Sequence, residues 1–343
     1  MANFLSPFVG GGAEGAVLDN TRRVARIAYR MPYYARIVRS AAGRIPPSTM
    51  LRSHFPFVLP DSPKPAHLTL EFTNRCNLAC TYCTSPLGLR SRGMLDDETF
   101  GLLVEQILEF DLARVCVVGN GEPTLHPKFG EMIRVLGKSC SYLNLVTNAH
   151  QLSEESALAI LEAPVRLLEI SVDSDNKEAY ELSRKRGNFE RLVENIAHLR
   201  ATRDRIHAPA VLAIRVMIRP SERPREREIL AFWGEKADVA IPQYVHDYTH
   251  GNDADVFDHT QSAGAIPRCS LPTKAMIVHW NGRVPVCELS QQQTGIPEGL
   301  IAGDVHTSTL QEIWNSPLFV QYREGHRKRL AELTPICHGC FGG

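Results

Sequence analysis

The sequence predicts an α/β fold, a partial (β/α)6 TIM-like barrel, and two observations carry this prediction. Short runs rich in β-branched residues alternate with helix-length segments between about residues 67 and 245, and there are six such units. Strands that alternate with helices form parallel sheets with right-handed crossovers. Six units are too few to close an eight-stranded barrel, so the barrel is expected to be partial. The predicted strands are 67–73, 114–119, 142–149, 166–173, 211–218 and 238–245.

The helices of the barrel carry recognisable start signals. Ser153 and Asn188 stand immediately before helix-like segments and are residue types that accept hydrogen bonds from the free N–H groups of a first turn. We therefore predict that these two residues are N-caps. In sheets of this kind, ligands bind at the carboxyl ends of the strands. The barrel domain is predicted to span 63–248.

An N-terminal helical extension, 1–62, precedes the barrel. Apolar residues recur at helical spacing over 14–42, with a predicted break at Pro32, and eight arginines stand against Glu14 and Asp19 before residue 60. Packing against the barrel, contact with an anionic membrane or partner surface, and contact with an anionic substrate all remain open for this basic segment.

A small C-terminal domain, 249–343, follows a polar, turn-rich stretch. The run 274–287 alternates in the way of a β-hairpin, with Asn281-Gly282 as its turn. A short helix is predicted before the last two cysteines. The sequence therefore places a β-hairpin and helix unit beside the barrel.

The composition narrows the class of protein. Lysine plus arginine equals aspartate plus glutamate, at 38 each, whereas a dedicated nucleic-acid binder usually carries a basic surplus. Nine cysteines in tight local sets suit metal ligation in a reduced compartment better than a disulfide framework. No signal peptide is recognised, and the apolar runs are too short for an integral membrane segment. We expect a cytoplasmic protein that binds no nucleic acid.

Three cysteines, Cys76, Cys80 and Cys83, follow the first predicted strand, in the sequence "RCNLACTYC". Soft thiolates select zinc or an iron–sulfur cluster. A structural zinc site needs four ligands, and no fourth cysteine or histidine lies nearby in the sequence. A [4Fe–4S] cluster normally uses four cysteines, so three would leave one iron open for a small molecule.

The second set is Cys269, Cys287, Cys337 and Cys340, which come from two separate segments. Four such residues can close a tetrahedral zinc site or fully ligate an iron–sulfur cluster, and the spacing does not decide between them. Cys116 lies inside the second predicted strand, where a buried thiol is the default. The alternative for Cys116 is a hydrogen-atom donor facing the substrate.

The segment "CNLACTYC" resembles the signature of the radical S-adenosylmethionine (radical SAM) superfamily. The resemblance implies that the open iron is chelated by SAM and that SAM is cleaved to a 5′-deoxyadenosyl radical. Part of "VVGNGEPTLHP" resembles the motif that binds the SAM amino group, with Asn120 in place of its first glycine. The SAM contacts implied by the resemblance are Tyr82, Gly121, Glu122, Asn148, Ser171, Asp173 and Arg184, of which Arg184 would pair with the SAM carboxylate.

The second cysteine set resembles the twitch domain, the shortened relative of the SPASM domain, which carries one auxiliary [4Fe–4S] cluster. Two clusters in all are therefore expected, together with SAM and an electron donor such as flavodoxin or ferredoxin. The family includes the dehydrogenase acting on 2-deoxy-scyllo-inosamine, whose cysteine spacing is very similar. The leading hypothesis is therefore oxidation of a small-molecule substrate, a polyol, sugar or aminoglycoside-type compound, with the auxiliary cluster as electron acceptor.

Two other functions stay open, namely maturation of a ribosomal peptide (RiPP) and epimerisation of a sugar. Glu288, next to a cluster cysteine, is the candidate proton acceptor of the oxidation. Gln243, Tyr244 and His246, near the end of the sixth predicted strand, are candidates for lining the substrate pocket.

Overall fold

The computed structural model describes residues 63–112, 114–245, 255–256, 269, 271–287, 296–334 and 337. The described residues contain a seven-stranded parallel sheet. Its strands are β1 His67–Leu70, β2 Arg114–Val117, β3 Tyr142–Thr147, β4 Val165–Val172, β5 Val211–Ile218, β6 Val239–Tyr244 and β7 Ala275–Val278. Their order in the sheet is β6-β5-β4-β3-β2-β1-β7. All six predicted strands are present, and every pairing between neighbours in the sheet is parallel.

Helices follow the strands and cover one face of the sheet. Those of the barrel are α1 Asp97–Glu109, α2 Phe129–Ser139, α3 Glu154–Glu162, α4 Lys177–Ser183, α5 Phe189–Arg205 and α6 Glu226–Gly234. Those after the barrel are α7 Leu271–Lys274, α8 Leu310–Trp314 and α9 Pro317–Lys328. Short 3-10 turns lie at Ser85–Leu87, Pro123–Leu125, Pro220–Arg225, Glu298–Leu300 and Ala331–Leu333.

The predicted N-caps are confirmed. The side chain of Ser153 accepts a hydrogen bond from the backbone N–H of Ser156 at the start of α3. Asn188 accepts from the backbone N–H of Arg191 at the start of α5. Both N-caps could be predicted from the sequence because a cap depends only on the residues of the first turn of its own helix.

Successive side chains of a strand point to opposite faces, and this alternation sorts the sheet into an apolar outer face and a polar inner face. The outer set packs with the helices in one hydrophobic cluster that includes Leu68, Leu70, Val115, Val117, Leu143, Leu145, Leu168, Ile170, Ile214 and Val216. The residues between them belong to the inner face, namely Thr69, Cys116, Asn144, Glu169 and Arg215. The inner face therefore carries polar and charged groups, as a binding surface would.

The run 274–287, which was predicted to be a simple β-hairpin, forms a different arrangement. The turn at 281–282 forms, with the Gly282 N–H donating to the His279 carbonyl at 2.9 Å. However, β7 joins the large sheet beside β1, whereas β8 Arg283–Pro285 pairs antiparallel with β9 Ile301–Asp304. Next to the turn the two arms are still joined, since the His279 N–H donates to the Arg283 carbonyl at 2.9 Å, and beyond it they diverge. The two edge strands of the described sheet, β6 and β7, do not pair with each other, so the barrel is open.

The predicted N-terminal helix and its break at Pro32 lie outside the described residues. So do Glu288, His246 and Cys340. Across the described ranges, no helix has the length and apolar character needed to cross a membrane.

Candidate functional site: the cysteine loop at the carboxyl end of the sheet

The loop after β1 brings Cys76, Cys80 and Cys83 to the carboxyl end of the sheet. The Cys83 N–H donates to the Cys80 carbonyl at 3.2 Å, which closes a tight turn between these two residues. The Cys83 sulfur accepts from the backbone N–H of Ser85 at 3.4 Å. A two-residue antiparallel pairing of Ala79–Cys80 with Arg184–Lys185 ties the middle of the loop to the segment after α4.

Gly121 lies against the backbone at the start of this loop. A Cβ atom at this position would stand 2.3 Å from the Thr73 carbonyl oxygen and 2.5 Å from the Arg75 carbonyl oxygen. The next residue, Glu122, donates its backbone N–H to the same Arg75 carbonyl at 2.8 Å. The close approach needs a residue without a side chain, and it fixes the loop that carries the three cysteines.

The Glu122 carboxylate is buried and organises the end of β3. It accepts hydrogen bonds from the Thr147 hydroxyl at 2.7 Å and from the Asn148 backbone N–H at 2.7 Å, and Thr124 donates to it as well. Burial raises the pKa of Glu122, and these hydrogen bonds lower it in part. The carboxylate is thus enclosed by donors from the protein itself.

Asn148, held in this way, reaches the cysteine loop. Its side-chain amide donates to the Asn77 Oδ1 at 2.9 Å and lies 3.8 Å from the Cys76 sulfur. The structure therefore brings the predicted residue of β3 to the first cysteine. A direct contact with SAM stays a prediction.

Asp173 and Arg184 form a buried ion pair behind the loop. The Arg184 Nε donates to Asp173 Oδ1 at 2.6 Å, and the Tyr82 hydroxyl donates to the same oxygen at 3.0 Å. Ser183 donates to the other carboxylate oxygen. The three predicted residues Tyr82, Asp173 and Arg184 are therefore in one network, with Arg184 oriented by a carboxylate of the protein.

The other predicted residues are more scattered. Ser171 occupies the next-to-last position of β4, half-buried on the inner face. The Gln243 Oε1 accepts from Arg215 at 3.4 Å, and that arginine is paired with Glu169 at 2.8 Å. The Tyr244 hydroxyl points to Glu226 at the start of α6. Of these, Ser171 and Gln243 belong to the inner face.

The first cysteine set fits a cluster held by three thiolates. Burial raises the pKa of Cys76 to about 11 and that of Cys80 to about 12, and the charges of neighbouring cysteines add to both shifts. The three sulfurs therefore interact electrostatically, and a bound cluster would displace their protons. In the described residues, no group of three or more His, Cys, Asp or Glu side chains is arranged around a single metal ion. A cubane cluster holds each thiolate on a different iron atom, so its ligands lie farther apart.

The second set is described for three of its four members. Cys269 is buried just before α7, and its sulfur accepts from the Leu271 N–H at 3.4 Å. Cys287 follows β8, and both it and Cys337 pack against the main hydrophobic cluster. The Cys337 sulfur lies 3.4 Å from the His326 Nε2. Soft thiolates fit an iron–sulfur cluster or zinc equally.

A second buried ion pair, which was not predicted from the sequence, lies beside the cysteine loop. Glu71 follows β1, is 1% exposed, and receives both terminal nitrogens of Arg90, at 2.9 and 2.5 Å. It also accepts from the Asn120 N–H at 3.1 Å. The available signal was a single acidic residue in the otherwise neutral strand segment "HLTLEFT", directly before the cysteine loop.

An α/β sheet with three cysteines at the carboxyl end of its first strand defines a metal-cofactor protein, and family comparison makes the class specific. Residues 70–228 match the radical SAM superfamily, and residues 269–341 match SPASM, an iron–sulfur cluster-binding domain. The chain is built from a radical SAM domain followed by a SPASM domain. Its cofactors are a SAM-binding [4Fe–4S] cluster, an auxiliary iron–sulfur cluster and SAM.

Individual relatives resemble this chain to different extents. Several curated relatives, at 28–34% identity, are matched over only 30–35% of their own length. The mycofactocin maturase MftC of Mycobacterium ulcerans is 26% identical over 315 residues, which cover 81% of this chain and 82% of that protein.

Solved structures show the fold. SuiB of Streptococcus suis bound to the precursor peptide SuiA has a TM-score of 0.62 at 11% identity and covers 90% of this chain and 79% of its own. BtrN in complex with AdoMet and 2-DOIA has a TM-score of 0.53 at 14% identity and covers 80% of this chain and 92% of its own.

Replacing Cys80 with alanine is expected to remove one cluster and leave the other. Iron bound per chain should fall from about eight atoms to about four, and SAM cleavage should be lost, because a [4Fe–4S] cluster cannot be held at two thiolates. The matched control is Cys140→Ala, since the Cys140 thiol donates to the Leu136 carbonyl at 3.3 Å within the fold. Iron and sulfide analysis after anaerobic reconstitution measures the cluster content of both variants, and formation of 5′-deoxyadenosine measures their SAM cleavage. An unchanged iron content in the Cys80 variant would contradict the assignment.

Proposed function

We propose that the chain is a radical SAM enzyme that modifies a peptide. The observation that carries this proposal is the similarity to the mycofactocin maturase MftC, because the alignment covers 81% of this chain and 82% of that protein. We therefore favour a peptide substrate over the polyol, which was predicted from the similarity in cysteine spacing to the dehydrogenase acting on 2-deoxy-scyllo-inosamine.

The open sheet is compatible with a chain-like substrate. In the described residues, β6 and β7 are edge strands that do not meet, and the polar inner face lies between them. An extended peptide could reach this face from the side, and the edge of a sheet can also offer backbone hydrogen bonds to such a peptide. The inner face then supplies polar contacts, among them the Glu169–Arg215 pair at 2.8 Å.

The roles of the chain's own residues follow from the site geometry. Gly121 and Glu122 hold the cysteine loop and the end of β3, and the Asp173–Arg184 pair holds its far side. When bound, the SAM-binding cluster and SAM supply the radical that removes a hydrogen atom from the substrate. Fixed side chains around that point exclude water and orient the reacting C–H bond.

The test uses the full chain with both clusters reconstituted under anaerobic conditions. It is incubated with SAM, a reductant and short peptides encoded beside its gene, together with a random-sequence peptide library. Mass spectrometry should find a peptide whose mass has changed, with 5′-deoxyadenosine formed in step. Cys80→Ala should give neither product. Peptides left unmodified while a polyol or aminosugar panel is oxidised would overturn the proposal.

That polyol panel also tests the second function predicted from the sequence, oxidation of a small polyol, sugar or aminoglycoside-type substrate. Epimerisation is tested by deuterium uptake from solvent and by Cys116→Ala. Cys116 lies half-buried on the inner face, in register with Thr69 and Asn144, which is the face that the epimerase hypothesis requires. Both functions stay predictions.

A further inference from the structure

A cavity lies between the loop that follows the cysteines and the hairpin turn of the C-terminal domain. Its volume is about 180 Å³, and its lining includes Arg90, Ser91, His279, Trp280, Arg283 and Ile296. The Trp280 ring packs on Gly93, where an added Cβ would stand 2.3 Å from the ring. Cavities between domains are common positions for ligand sites. We refer to it as the His279 cavity.

His279 is the unusual member of this lining. It is 3% exposed, and within the described part of the chain its Nε2 is enclosed and has no hydrogen-bond partner. It follows β7 directly, and because Met276 and Val278 belong to the apolar outer cluster, alternation assigns His279 to the inner face. A buried polar atom without a partner is unfavourable, and such groups are retained where a ligand satisfies them.

The charges of the cavity are compensated. The Arg90 guanidinium is paired with the buried Glu71, and Arg283 is paired with Glu298. Burial lowers the pKa of His279 to about 4, so the imidazole is neutral at neutral pH. A neutral imidazole among paired charges favours an uncharged polar group over a carboxylate or an ammonium group.

The His279 cavity is also next to the predicted SAM site. Glu71 accepts from the backbone N–H of Trp280 at 3.4 Å and from that of Asn120 at 3.1 Å. Asn120 is the first residue of the motif that resembles the SAM amino-group site. One carboxylate therefore connects the cavity wall to that motif, and a group bound in the cavity would lie close to the SAM site.

We infer that His279 binds the substrate, forming a hydrogen bond through its imidazole ring to an uncharged O–H, N–H or C=O group of a peptide side chain such as serine, threonine, asparagine or glutamine. The peptide nature of the substrate rests on the proposed function, whereas the polar group bound at His279 does not. His279 is thereby a specificity-determining residue beside the SAM site.

The first test needs no substrate. His279→Phe removes the polar ring atoms at similar volume, and His279→Gln keeps a hydrogen-bonding group. If Nε2 has no partner in the free protein, the melting temperature of His279→Phe should equal or exceed that of the original protein. A clear fall in melting temperature for the Phe variant, with the Gln variant unchanged, would assign His279 to a structural hydrogen bond and overturn the inference.

The second test uses the peptide found by the mass-spectrometric screen. His279→Phe should raise KM for that peptide about tenfold, with a smaller effect on kcat, since one lost hydrogen bond to a buried group is of this size. His279→Gln should restore KM to within about threefold. The control is His198→Phe, on the exposed surface of α5, which should change neither parameter.

An unchanged KM in His279→Phe would overturn the inference even if the peptide is modified. If no peptide is modified but a polyol is, the proposed function fails. The KM for the polyol, whose hydroxyl is also an uncharged polar group, is then measured for His279→Phe, His279→Gln and His198→Phe. If neither is modified, the melting temperatures alone decide. The failure of one proposal is therefore distinguishable from that of the other.

Discussion

Gly121→Ala is expected to lower SAM cleavage by about 100-fold or more, because misplacing a reactive group by about 1 Å has an effect of this size. The added Cβ would stand 2.3 Å from the Thr73 carbonyl oxygen and 2.5 Å from that of Arg75. Both neighbours are backbone atoms, so the strain cannot be relieved by turning a side chain. The loop that carries the three cysteines must shift, or the Glu122–Arg75 backbone hydrogen bond must break.

The matched control for this variant is Gly101→Ala. Gly101 is exposed on α1, and no atom lies within 4 Å of its added Cβ. Alanine is favoured over glycine in a helix by roughly 0.5–1 kcal/mol, so this variant should be fully active and slightly more stable. Formation of 5′-deoxyadenosine by the reconstituted protein measures both variants. Equal rates would mean that Gly121 does not set the position of the loop.

Asp173→Asn is expected to reduce the free energy of unfolding by about 3–5 kcal/mol, because it leaves a buried guanidinium without its counter-charge. The side chains of Asp173 and Arg184 are 2% and 5% exposed. Arg184 Nε and the Tyr82 hydroxyl both donate to one carboxylate oxygen, and Ser183 donates to the other. The substitution therefore weakens three contacts around the cysteine loop at once.

Urea unfolding under anaerobic conditions measures this effect. The control is Asp111→Asn, which breaks the ion pair between Lys64 and an aspartate side chain that is 88% exposed and should cost less than about 1 kcal/mol. The paired substitution Asp173→Leu with Arg184→Met should recover part of the stability, since no charge is then left buried alone. Similar losses for Asp173→Asn and Asp111→Asn would show that burial does not strengthen the Asp173–Arg184 pair.

Three contacts thus position the cysteine loop from different sides. Gly121 and Glu122 approach its start, the Asp173 network holds its middle through Tyr82, and Glu71 with Arg90 borders the residues that follow it. Each joins residues that are distant in the chain. A loop fixed in this way can hold a cofactor in one geometry, which radical chemistry requires.

The sequence by itself determined the features that depend on neighbouring residues. The six barrel strands and the N-caps Ser153 and Asn188 could be predicted because strand periodicity and capping are local properties. The same locality let the radical SAM and SPASM domains be recognised from short motifs.

Only the tertiary structure decided which distant residues meet. The sequence could not tell that β7 would pair with β1 and not with β8, or that Glu71 would receive Arg90. Nor could it tell that the Nε2 of His279 would be enclosed without a hydrogen-bond partner among the described residues. These outcomes depend on which long loops close and which groups lose water in the closed fold. Periodicity along the chain carries no information on either, because it specifies the face of a residue and not its neighbour across the sheet.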